Sequence, residues 1–154
     1  MKPKFAIYYK KKNKVELAEI VTQSSKLIFW LSIPVVLIIF FIPGILLSIF
    51  DKSLTSSVNV LSILNIGQLV NISCGSVAVL LKMTEHEHIV KNVLGGVLLL
   101  NIVLNLILIK LFGEAGAAIS SSLSIILWNI LLCIIAWKKL GLKVFYLPTQ
   151  IFSK

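Results

Sequence analysis

Residues 27–50 contain no charged side chain. As a helix rising ~1.5 Å per residue, this stretch reaches ~36 Å, enough to cross a hydrocarbon core of ~30 Å. No other feature narrows the possible folds so far. Backbone that crosses lipid must satisfy its own N–H and C=O groups, and within one apolar segment only a helix does so. Pro34 and Pro43 interrupt the stretch, so kinks are expected, with neighbouring helices satisfying the freed carbonyls. Three further apolar stretches follow, at 54–81, 92–109 and 115–137. The chain is 58% hydrophobic, with a mean hydropathy of +1.00. Soluble domains hold roughly 45–50% apolar residues. The expectation is an all-α integral membrane protein, a bundle of four transmembrane helices (27–50, 54–81, 92–109, 115–137). A basic lead-in (1–26) and a basic tail (138–154) flank it.

The lead-in carries a lysine cluster, Lys10, Lys11, Lys12 and Lys14. From 15 to 26 the pattern turns helical, with Leu17, Ile20 and Val21 on one side, as in a short amphipathic helix at the membrane surface. About 26 mostly polar residues precede the first apolar run, so no signal peptide is read. In the tail, Tyr146, Pro148 and Phe152 are expected near the interface. The formal net charge is +9, and every one of the fifteen basic residues is lysine. With four spans, all lysines except Lys52 and Lys110 share one side. The positive-inside rule then makes both termini cytoplasmic, in a multi-pass protein of the cytoplasmic membrane. Without arginine, the usual bidentate reader of bases, no nucleic-acid partner is expected. The partner implied by composition is the lipid bilayer.

The chemistry of enzymes is missing. The acidic residues Glu16, Glu19, Asp51, Glu85, Glu87 and Glu114 all fall outside the expected spans, so no intramembrane carboxylate offers a proton relay or a Mg²⁺ cluster. Glu85, His86, Glu87 and His88 form an E-H-E-H run, but i,i+2 spacing does not put two histidines on one helix face. A solvated loop at 82–91 is the expectation, with no metal and no cofactor. Cys74 and Cys133 lie in apolar segments without ligand spacing and read as packing residues. No Ser–His or Cys–His pair is evident, and the chain is not expected to be an enzyme.

The second apolar stretch is dotted with polar residues. At ~100° per residue, Asn65, Gln68 and Asn71 fall within a third of its circumference. Lipid does not face such a stripe; protein or a water-filled cavity does. These three are expected to line a hydrated cavity, a substrate path if the chain is part of a transporter, the alternative being that they tie helices together. Between 101 and 129, Asn101 and Asn105 share a face four residues apart, a tight turn is expected from Gly113 to Gly116, and Glu114 meets the positive end of the next helix. Gly113, Gly116, Ala117 and Ala118 let two backbones approach closely. Ala118, Ser122, Asn129 and Cys133 share one face of the last span. Helix packing is the expected role of Asn101, Asn105, Gly113, Gly116, Ser122 and Asn129.

The run Asn101, Leu104, Asn105, Leu108, Ile109, Phe112, Gly113, Gly116, Ala117, Ala118 resembles the closing helices of polysaccharide-biosynthesis flippases. These belong to the multidrug/oligosaccharidyl-lipid/polysaccharide exporter superfamily. Lys110 stands where that pattern usually has proline. Pro3, Pro34, the stretch 50–64 and the stretch 80–85, with Glu85 where glycine is frequent, extend the likeness over most of the chain. Full members enclose a cavity between two lobes, so the resemblance implies the C-terminal portion of such a flippase, not competent alone. Its implied partners are a lipid-linked oligosaccharide, through the parent transporter, and the missing N-terminal helices or a companion membrane chain. An internal start, a split gene and a truncated remnant are all compatible with the residues. The alternative is a self-contained four-helix membrane subunit that pairs with partners through its small-residue faces.

Overall fold

The computed structural model of the protein describes residues 14–45 and 57–141. Among these described residues the regular elements are helices: α1 (Lys14–Phe41), α2 (Val58–Cys74), α3 (Val77–Met83), α4 (Glu87–Phe112) and α5 (Glu114–Leu140). The lysine cluster at Lys10–Lys12, Pro3, the turn at Asp51 and Lys52, and the tail with Tyr146, Pro148 and Phe152 lie outside the described residues.

α1 runs without a break from Lys14, so the surface segment expected at 15–26 is continuous with the first apolar helix. Glu16, Leu17, Ala18 and Glu19 are good helix formers, and no Gly or Pro intervenes before Pro34. The helix carries Pro34 internally and pauses at Ile42, just before Pro43. Its membrane-length part is Thr22–Phe41.

The single span expected at 54–81 is broken in two. α2 stops at Cys74, and Gly75 takes φ +56° before α3 begins. A side chain at Gly75 would be strained by that backbone and would also press into Ser25 of α1. Glycine is thus required twice over. Ser25 and Ser76 beside the break bury hydroxyls that have no partner among the described residues. α2 has 17 residues, or ~25 Å, short of the ~30 Å core.

The loop expected at 82–91 is also shorter than its charges imply. Lys82 lies in the last turn of α3 and Glu87 in the first turn of α4. The connection closes on itself: Glu85 takes φ +63° and the His86 N–H donates to the Leu81 carbonyl at 3.0 Å. This is the Schellman pattern, with glutamate at the left-handed position glycine usually fills. Thr84 is fully buried beneath it and returns its hydroxyl to Leu80 O at 3.0 Å. α4 and α5 meet across Gly113 alone, at φ +57°; the turn does not extend to Gly116, which lies in the first turn of α5.

Helix directions follow from the contacts. Val36 meets Asn65 and Ser25 meets Gly75, so α1 and α2 are antiparallel. Ser57 meets Glu114, Ile63 meets Ser122 and Asn71 meets Asn129, so α2 and α5 are parallel. Asn101 meets Ser124 and Asn105 meets Ser120, so α4 and α5 are antiparallel. α5 is the central helix, packed on both α2 and α4, and α1 leans on α2. An apolar cluster closes one end, where Cys74, Val77, Leu80, Leu81 and Val90 meet Leu132, Ala136 and Leu140.

Polarity is distributed inside out. Ser120, Asn129, Asn65 and Ser122 are buried, whereas Leu31 and Phe41 are each 74% exposed and Leu99 and Leu111 each 67%. Soluble proteins do not leave apolar surface of that extent to water. Among the described residues, three helices, Thr22–Phe41, Glu87–Phe112 and Glu114–Leu140, are long and apolar enough to cross a membrane. The described helices are consistent with an all-α membrane protein, whose outer face would suit lipid.

Candidate functional site

The amides expected from the sequence fall on three seams, and the seams differ in how fully those amides are engaged. On the α4–α5 seam, Asn101 Nδ2 donates to Ser120 O at 3.1 Å and to Ser124 Oγ at 2.9 Å. Asn105 Nδ2 donates back to Asn101 Oδ1 at 2.9 Å, and Ser120 Oγ donates to Asn105 Oδ1 at 2.7 Å. The i,i+4 asparagine pair thus faces a serine pair of the same spacing across an antiparallel crossing. Gly116 closes the seam at its turn: a Cβ there would overlap the Leu108 carbonyl. Such contact between backbones is what small residues permit in membrane helices.

The α2–α5 seam is joined at three levels, the first where Ser57 Oγ donates to Glu114 Oε2 at 3.2 Å. Ser122 Oγ donates to Ile63 O at 2.6 Å, beside Gly67, where an added Cβ would sit 3.1 Å from the Ser122 Cα. Asn129 Nδ2 donates to Asn71 Oδ1 at 3.1 Å. Ala118, Ser122 and Asn129 are all buried, and Cys133 is half-buried.

The α1–α2 seam is open. A groove of about 410 Å³ runs between the two helices, and Asn65, Gln68 and Asn71 all border it. Opposite them α1 presents Ser32 and the aliphatic side chains of Leu31 and Val35. Asn65, at the buried floor, donates to Val36 O at 3.0 Å and ties the two helices together. Asn71 Nδ2 donates to Gln68 Oε1 at 3.1 Å, so a hydrogen-bonded line runs from Gln68 through Asn71 to Asn129 on α5. Gln68 itself is exposed, and its Nε2 hydrogens meet no acceptor among the described residues. An unfilled amide donor inside a helix this apolar is costly unless water or a polar solute reaches it. The groove therefore offers amide and hydroxyl groups against an aliphatic wall, with no charge among its lining residues.

Four participants were not named as site residues from sequence. Ser32 joins the groove from the opposite helix, Gly67 lets α2 and α5 touch, and Gly75 with Ser25 fixes where α2 stops. Glycine followed by serine inside an apolar run is a break signal for Gly75; Ser32 left no local signal, because its role depends on which helix faces it. The E-H-E-H run gives two stacked rings, His86 and His88, with centroids 6.5 Å apart. Among the described residues, no three of His, Cys, Asp and Glu come together as metal ligands would. No protein-family model, curated protein or solved structure matches the chain.

Proposed function

We propose that the chain is the C-terminal helical portion of a lipid-linked oligosaccharide flippase, and that the α1–α2 groove belongs to the route its polar headgroup takes. The observation that carries this reading is the groove itself. Three amides and a hydroxyl border about 410 Å³ between helices otherwise faced with leucine, isoleucine and valine. Uncharged amides and hydroxyls suit sugar hydroxyls, which donate and accept in turn. The likeness of the run from Asn101 to Ala118 to polysaccharide-type flippases supplies the substrate class.

In this proposal α2 and α3 together make a fourth, broken crossing. The alternating helix directions, α1 against α2 and α4 against α5, return the chain to its starting side. Lys82, Lys91, Lys138 and Lys139 then lie at one end of the bundle, and Lys110 at the other. The positive-inside rule assigns the lysine-rich end, and both termini, to the cytoplasm. A self-contained pairing subunit fits less well, because Gly67, Gly116, Ala118 and Ser122 are already used within the chain.

The test replaces Gln68 with a photoreactive phenylalanine analogue in cells that make a lipid-linked saccharide. Crosslinking to the lipid-linked sugar is expected at Gln68 and absent for the same replacement at Leu98, which lies 60% exposed on the outer face of α4. Equal crosslinking at the two positions, or none at Gln68, would remove the groove from the route.

A further inference from the structure

The corner where α3 turns into α4 holds a hollow larger than the groove, about 680 Å³, and none of the seams uses it. Lys82 borders it from α3, and Glu87, His88, Val90, Lys91 and Leu94 border it from α4. The polar members, Lys82, Glu87, His88 and Lys91, are exposed, and among the described residues neither lysine is held in an ion pair. Val90, fully buried, makes the floor and belongs to the apolar cluster beneath. Leu94 also borders it, and one turn on, Leu98 continues the exposed apolar surface of α4.

We infer that this hollow seats an anionic phosphate group, presented on the headgroup of a membrane lipid. Two lysines against one carboxylate leave a single net positive charge at the rim, which matches the single negative charge of a phosphodiester. A lysine ammonium is a compact phosphate partner, and its flexible stem reaches the headgroup from a helix end. The His88 ring adds a further nitrogen to the same rim. Lipid rather than free phosphate is favoured because Leu94, which borders the hollow, and Leu98, one turn on along α4, are exposed and form an apolar flank along which acyl chains would lie. The corner sits at the end of a membrane-length helix, the level at which headgroups are found. The seat is separate from the α1–α2 groove and does not depend on the sugar route.

The experiment is native mass spectrometry of the full chain released from vesicles of phosphatidylglycerol and phosphatidylcholine, with inorganic phosphate as a competitor. The wild-type chain is expected to retain phosphatidylglycerol in preference to phosphatidylcholine. Lys82→Gln combined with Lys91→Gln is expected to lower that retention about tenfold or more, whereas Lys138→Gln combined with Lys139→Gln, the same change of charge at the same end of the bundle, lowers it less than about twofold. An equal loss in both double variants would show diffuse charge attraction and overturn the site, as would no loss in either. Displacement of the lipid by millimolar inorganic phosphate would overturn the lipid source. All four lysines are exposed, so thermal unfolding should be alike in the variants, and a binding loss that tracked a stability loss would also overturn the assignment.

Discussion

The α4–α5 and α1–α2 seams are built from the same residue types in equally apolar surroundings, yet one is closed and the other is open. On α4–α5, Asn101 and Asn105 meet Ser120 and Ser124, and every member of the set has a partner across or along the helices. On α1–α2, the stripe of Asn65, Gln68 and Asn71 meets an α1 face that offers one serine and otherwise aliphatic side chains. Asn65 finds a backbone carbonyl, Asn71 turns toward α5, and Gln68 is left facing the groove. An amide in a membrane helix is therefore a tie or a lining group according to the helix opposite it. Residue type alone does not decide between the two.

The difference can be pressed hardest at Gly116. Gly116→Ala should force α4 and α5 apart, because the new methyl overlaps backbone rather than a movable side chain. A loss of about 3 kcal/mol, at the upper end for overpacking, is expected in detergent unfolding. Gly95→Ala, with open space around it on α4, should instead gain up to about 1 kcal/mol from helix propensity. Asn101→Leu removes two bonds across the closed seam. Interhelical bonds in membranes average ~0.6 kcal/mol each, so a loss of about 1–2 kcal/mol is expected in the same measurement.

Glu85→Gly lies in neither seam and serves as a check on both. It relieves the left-handed strain of a side-chain-bearing residue and should raise stability by about 1 kcal/mol while leaving labelling in the groove unchanged. The smallest expected effect is that of Gln68→Leu, which should stay within about 0.5 kcal/mol of the wild type because an exposed group with one intrahelical partner is removed. If Gln68→Leu cost as much as Asn101→Leu, the stripe would be packing, and the contrast between the seams would vanish.

Much of this arrangement can be read from the residues. Hydropathy alone marks the apolar helices, and the i,i+4 spacing of Asn101 and Asn105 marks one shared face. The 3.6-residue period likewise gathers Asn65, Gln68 and Asn71. The ends of helices are less legible. Residues 54–81 read as one span because no charge interrupts them; Gly75–Ser76 is a local break signal there, but the contact with Ser25 of α1 that also demands glycine has no local signature. The charged stretch 82–91 reads as loop, yet a Schellman closure at Glu85 confines the turn and lets Glu87 begin α4. Ser32 was invisible for the reason the two seams differ: a lining residue is defined by its neighbour on another helix.

Water access to the two seams tests the contrast most directly. In a background with Cys74→Ala and Cys133→Ala, single cysteines at Gln68, Asn101 and Leu98 can be exposed in the membrane to a small, charged thiol reagent. Rapid labelling is expected at Gln68, which borders the groove, with protection at Asn101 in its closed network and at Leu98 on the exposed apolar face of α4, which lipid would cover. Protection at Gln68 equal to that at Asn101 would contradict a hydrated groove, and with it the route proposed for the sugar.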